Sequence, residues 1–267
     1  MKSVQNKKDL IDVIRLRVRE SGWSPDLNDL DVSQIDDFSE IFSDIHALHR
    51  FNGNISRWNT KRAKTMASMF SHSCFNRDLS NWDVSGVEDM SCMFMNSEFN
   101  QPLSNWDVGR LKTASGMFSG SVFNQDLSGW CPSRLEYAVA MFDTSVFSGN
   151  VFNWELEHLK EAECMFRRSQ VSIVPIPKRL KEWVFNDSMA VSRDDLRKLI
   201  QIEINFEEFF SETPFLRDVL GIHDKNLELS EIKPLLKGWL IAKANQETLE
   251  KDLIQPHSEG SAKKYRL

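Results

Sequence analysis

Few side chains in this sequence are spaced for chemistry of their own. His46 and His49 stand at i and i+3, a spacing that can turn two imidazoles toward one metal ion. No carboxylate or thiol is clearly placed to complete a shell, so a surface role is expected for both. The four cysteines, Cys74, Cys92, Cys131 and Cys164, contain no CxxC pair, so neither a zinc site nor a disulfide framework is indicated. No Cys–His or Ser–His–Asp arrangement follows from spacing, and no glycine-rich phosphate loop is present. The remaining group is cationic: Arg62, Arg110, Arg134 and His158 are separated by 48, 24 and 24 residues. A row without internal compensation could grip an acidic partner, and these four are the expected partner-binding residues. A second cluster, Phe206-Glu-Glu-Phe209-Phe210 with Phe215 and Leu216, reads as core with a solvated edge or as a docking surface. No catalytic, cofactor-binding or metal-binding residue is assigned, and no cofactor is expected.

The 24-residue spacing belongs to the whole first part of the chain. Segments beginning at Phe51, Phe75, Phe99, Phe123 and Phe147 align without a gap, and the clearest copy, FNRDLSNWDVSGVEDMSCMFMNSE, runs from Phe75 to Glu98. Trp58, Trp82, Trp106, Trp130 and Trp154 fill one column. Phe70, Phe94, Phe118, Phe142 and Phe166, each preceded by Met, fill another. Both columns are expected to form a continuous aromatic ladder in the core. Asn52, Asn76, Asn100 and Asn124, with Ser148, occupy the second position of the unit; Ser73, Ser97, Ser121, Ser145 and Ser169 occupy the next-to-last. A degenerate sixth copy, Asp26 to Phe42, precedes these and carries four extra residues before Phe51. Cys92 and Cys164 share a column with Ser68, Gly116 and Ala140, a small-residue slot read as packing.

Within the unit, Val87, Met90, Met93 and Phe94 fall at i, i+3, i+6 and i+7, the spacing of one helical face. Ser85-Gly-Val-Glu88 and Ser133-Arg-Leu-Glu136 fit a capping box, and Ser33-Gln-Ile-Asp36 nearly does. The pattern therefore predicts a short helix over Val87–Met95 and its equivalents, preceded by a turn and a short extended piece around Trp82–Val84. One unit cannot bury its apolar side chains alone, so its neighbours must supply the other wall. Asp36, Lys64, Glu88, Lys112, Glu136 and Lys160 share one column and alternate in sign, which predicts that each charge lies between two opposite ones and fixes register.

Residues 1–22 carry Leu10, Ile11, Ile14 and Val18 on one helical face, then Gly22, and read as an N-terminal capping helix. The repeats occupy 23–170. The pattern fades at Val171-Ser-Ile-Val-Pro175-Ile-Pro177. Residues 171–255 read as mainly helical, with helix starts at Ser192 and Ser230 and an ambiguous alternation at Ile200, Ile202, Ile204 and Phe206. Residues 256–267 read as a disordered tail.

The repeat, seen best in FNGNISRWN at Phe51 and LSNWDVSGVEDMSCMF at Leu79, closely resembles that of the BspA-like leucine-rich-repeat proteins of bacteria, over about residues 26–170. The resemblance implies surface or secreted proteins that bind host or matrix proteins or other cells. Together, pattern and resemblance predict an α/β repeat solenoid, leucine-rich-repeat-like, of about six 24-residue coils with short helices, followed by a mainly helical C-terminal region.

Composition narrows the partners. Against 33 Lys and Arg stand 39 Asp and Glu, a formal charge of −6, which disfavours nucleic acid or an anionic membrane as the main partner. No stretch approaches the length of a membrane span. Leu10 to Val18 is broken by Asp12, Arg15 and Arg17, so no secretory signal is expected. The chain is expected to be a monomer, cytoplasmic at synthesis, with secretion by a non-Sec route left open. The expected function is non-enzymatic protein binding through the repeat face, as an exported factor in one version. Two alternatives stay open: repeats that target a C-terminal effector or enzymatic domain (178–255), and an intracellular scaffold or immunity-type protein.

Overall fold

The computed structural model describes residues 2–149, 151, 154, 156, 158–162, 164–170 and Lys237. The chain divides into two compact units, Met1–Lys225 and Asn226–Leu267, and every described residue except Lys237 belongs to the first. Helix α1 spans Lys7–Ser21. It starts where the Asn6 side chain accepts the Asp9 amide at 3.0 Å, satisfying one of the free amides of the first turn. It stops at Gly22, whose amide still reaches the Val18 carbonyl at 2.9 Å and whose φ of 78° then turns the chain out of the helix. Leu10, Ile11 and Ile14 are buried, whereas Val18 is only half-buried. Strand β1, Lys2–Ser3, pairs in parallel with β2, Leu30–Asp31. Lys7 Nζ sits 3.2 Å from the Asp37 carboxylate and 2.5 Å from Ser39 Oγ, and Arg17 reaches Asp29 at 2.5 Å, so α1 is tied to the first repeat.

The α/β solenoid with a helix in every coil is not what the chain builds. Among the described residues of the first unit, regular structure is limited to α1, the β1–β2 pair and one three-residue 3-10 helix, Asp44–His46, in the four-residue insertion of the first copy. The described residues of Val87–Met95 and its equivalents form no helix: in this copy residues 91–95 are turns and Asp89 is a one-residue bridge. The physical reason is in the backbone. Ser68, Cys92, Gly116, Ala140 and Cys164 have φ between 54° and 65°. Four residues on, His72, Asn96, Gly120, Thr144 and Arg168 lie between 51° and 64°. A left-handed residue every four positions is incompatible with a right-handed helix. Met90 to Met93 and Phe94 to Ser97 are turns closed by bonds to the residue three back, at 3.1 and 3.3 Å, each with a positive φ at its third residue. The amides of Met90, Cys92, Phe94 and Asn96 point outward to the next unit, taking the carbonyls of Thr113, Ser115, Met117 and Ser119 at 2.8–3.0 Å. Nor do the serines cap helices: the Ser85 amide and hydroxyl both donate to Asp83 Oδ1, at 3.1 and 2.6 Å, closing an Asx turn.

Equivalent residues of successive units meet. One-residue parallel bridges run Asp37, Thr65, Asp89, Thr113, Tyr137, Glu161. Phe42, Phe70, Phe94, Phe118, Phe142 and Phe166 stack with ring centroids 5.3–5.6 Å apart. Phe51, Phe75, Phe99, Phe123 and Phe147 repeat at 6.2–6.3 Å. The five indoles are 2–3 % exposed. Trp58–Trp82, Trp106–Trp130 and Trp130–Trp154 stack at 6.2, 6.4 and 5.9 Å. Each donates Nε1–H to a carbonyl one unit earlier, those of Leu27, Ile55, Leu79, Leu103 and Leu127, at 2.9–3.1 Å.

Two polar columns complete the join. The Oδ1 atoms of Asn52, Asn76, Asn100 and Asn124 accept the amides of Asn76, Asn100, Asn124 and Ser148 at 2.9–3.1 Å. The buried hydroxyls of Ser73, Ser97, Ser121 and Ser145 each donate to the carbonyl three residues back, at 2.8–2.9 Å. The expected junction at 171–177, the mainly helical 171–255 with its starts at Ser192 and Ser230, the 200–206 alternation, the Phe206 to Leu216 cluster and the 256–267 tail lie outside the described residues, except that Lys237 is helical.

Candidate binding edge

The twelfth position of each unit follows a buried tenth and precedes a buried thirteenth, so its side chain is forced outward between two core anchors. In the fourth unit these anchors are Val108 and Leu111, and Arg110 is exposed between them. Arg62, Arg134 and His158 are exposed in the same column. Arg62 Nη1 donates to Gln34 Oε1 at 3.0 Å. Gln34 occupies this position in the first copy, and aligning the degenerate copy by Asp36 would have found it. The His158 ring nitrogen Nδ1 lies 2.9 Å from the Ser133 carbonyl, which holds the ring against the preceding unit. Arg110 and Arg134 form no ion pair with a described residue.

The third unit interrupts the column. Gly86 is buried there, and a Cβ on it would lie 3.2 Å from the Ala63 carbonyl oxygen, 3.3 Å from that of Lys61 and 3.8 Å from Lys64 Nζ. Gly86 thus packs closely against the backbone of the preceding unit, with the Lys64 ammonium nearby.

The alternating column two residues further on closes only in part. Lys112 pairs with Glu88 at 2.7 Å and Lys160 with Glu136 at 2.5 Å; the other three steps hold no ion pair. An ammonium that commits to one carboxylate leaves the other neighbour, so two separate pairs form rather than a continuous chain, and Asp36 and Lys64 stay unpaired with each other. The hydrogen bond from Lys112, then its charge, holds the Glu88 carboxyl below the ordinary value. The hydrogen bond from Lys160 does the same for Glu136, and Glu136 in return raises the Lys160 amine.

The other candidates are dispersed. His46 closes the 3-10 helix, and its carbonyl accepts Arg15 Nη2 at 3.3 Å. Burial, then the Arg15 charge, lowers the His46 imidazole below its usual value. His49 Nδ1 is buried without a hydrogen-bond partner among the described residues. No group of three or more His, Cys, Asp or Glu able to hold a metal ion occurs among the described residues. Cys74, Cys92 and Cys131 are free thiols; burial raises Cys74 and Cys92, which favours the protonated form. No helix of the described residues is long and apolar enough to cross a membrane.

Residues 17–122 and 75–176 match the family described as Mycoplasma protein of unknown function, DUF285. Together these stretches take in more than half of the chain, so the chain belongs to that family. The two matches overlap over residues 75–122, which is two repeat units starting at Phe75. No curated protein and no solved structure matches the chain.

Proposed function

We propose that this chain is a non-enzymatic protein-binding module that holds an acidic partner along the edge formed by Arg62, Arg110, Arg134 and His158. The observation that carries the reading is a contrast between neighbours two residues apart. Lys112 and Lys160 are paired within the protein, whereas Arg110 and Arg134 are exposed with no described ion pair. A solvated guanidinium keeps its planar fork of donors, which fits carboxylates in two-bond geometry. The resemblance of the repeat to BspA-like surface proteins supports binding as the purpose of the array. The experiment compares capture by the wild-type chain and by Arg62→Glu/Arg110→Glu/Arg134→Glu. The variant should lose the partner while keeping the wild-type melting temperature. Equal capture by both would sink the edge.

A further inference from the structure

The binding edge has a geometry as well as a charge. One unit-to-unit step measures 5.3–5.6 Å along one phenylalanine column and 6.2–6.3 Å along the other. An extended peptide returns a side chain to the same side about every 6.6–6.8 Å, which differs from one step by about 0.3–1.5 Å. The long, flexible stem of arginine takes up that difference.

We propose that the twelfth-position column is a track for an extended acidic peptide, with a carboxylate at alternate residues meeting Arg62, Arg110, Arg134 and His158, and with an open slot at Gly86. This rests on the binding function proposed above and adds the conformation and pattern of the ligand. A nucleic acid fits less well. A short peptide brings only a few charges, whereas a nucleic acid continues as a polyanion past the column. The net charge of −6 adds a general repulsion toward polyanions. The slot can be filled. Gly86 has no positive φ, and the same position carries arginine in the fourth and fifth units. A Cβ there needs the Ala63 and Lys61 carbonyls to give by a few tenths of an ångström.

The test uses the full chain and fluorescence anisotropy at low salt with two labelled peptides. One alternates four Glu with four Ser; the other places the four Glu together before the four Ser. The alternating peptide should bind several-fold more tightly than its permutation, and Arg62→Glu/Arg110→Glu/Arg134→Glu should abolish the difference. Gly86→Arg, which fills the slot, should tighten the alternating peptide about two- to five-fold, the range for one exposed charge pair. His158→Arg, at an exposed position whose one hydrogen bond among the described residues is with the Ser133 carbonyl, should do likewise and covers the case in which Gly86→Arg misfolds. Equal binding of the two peptides, or an unstructured oligonucleotide binding more tightly than either, overturns the track. Capture of a protein partner that the triple variant loses, with neither peptide bound, also overturns the track but leaves the proposed function standing.

Discussion

The carbonyl of Leu79 accepts two hydrogen bonds, from the amide of Trp82 in its own unit at 3.1 Å and from Trp106 Nε1 in the next at 3.0 Å. Leu79 is fully buried, so water cannot replace either donor. The indole column is therefore a hydrogen-bonding device as well as apolar filling.

Trp106→Phe should keep much of the ring surface and lose the donor. The expected cost is about 1–2 kcal/mol, the net worth of one hydrogen bond plus some lost apolar area. Urea unfolding reads it as a lowered midpoint at unchanged slope. A loss of only a few tenths would show that the bond to Leu79 contributes nothing.

Asn100 separates acceptor from charge. Its Oδ1 accepts the Asn124 amide at 2.9 Å and Gln125 Nε2 at 3.0 Å. Asn100→Leu removes both and should cost about 0.5–1.5 kcal/mol. Asn100→Asp retains an oxygen for each donor and should cost clearly less, as judged by comparing thermal melts of the two variants.

Ala140 distinguishes turn from helix by the sign of an effect. In a helix interior Ala140→Gly would cost about 1 kcal/mol. At its φ of 54° the strain of a left-handed Ala is relieved, so the change should be neutral or stabilise by about 1 kcal/mol. Gly116→Ala is the converse. It introduces a side chain at φ 65°, with its Cβ 3.1 Å from Cys92 Sγ, and should destabilise by about 1–2 kcal/mol.

Asp37 gives the attachment of α1 a pH dependence. Burial pushes its carboxyl up, but the Ser39 hydroxyl and amide and the Lys7 ammonium outweigh this and hold it below its ordinary value. A carboxyl lowered in the folded state stabilises above its unfolded value, and that stabilisation disappears as pH falls through the folded one. The stability difference between wild type and Asp37→Asn should thus be largest near neutrality and shrink as pH falls through the lowered carboxyl value, in denaturant titrations at pH 7 and pH 2. A difference that persists at the lower pH would rule out ionisation as its source.

What the sequence showed and what it hid follow from the same repeat. Columns of Trp58 to Trp154 and Phe70 to Phe166 were legible because a slot used five times leaves five copies of its requirement. The α1 ends were legible because Asn6 and Gly22 are local signals. The helix expected over Val87–Met95 was wrong because i, i+3, i+6, i+7 is also the spacing of linked turns with left-handed residues four apart. The contrary signal was present in Gly116, Gly120 and Asn96, residue types suited to positive φ, but Cys92, Ala140 and Thr144 in the same columns concealed it. The charge column was legible as a column, yet its pairing in twos depends on which way each Lys side chain leans, which residue type does not specify. Gly86 was legible as a break in the arginine column, yet nothing in the sequence showed how closely it packs against the Ala63 and Lys61 carbonyls.

The direction of the bonds between units has a consequence for how such a chain changes in length. The amides of Met90, Cys92, Phe94 and Asn96 look forward and the indoles look back, so no unit holds a closed set of partners. Excising residues 99–122 would bring Glu98 to Phe123 and offer the forward donors the carbonyls of Tyr137, Val139, Met141 and Asp143, those that Ala114, Gly116, Phe118 and Gly120 now use. Whole units can therefore be gained or lost in a single genetic event with each donor re-matched, whereas an excision one residue shorter leaves a residue that the junction must loop out, as the first copy loops out its four extra residues.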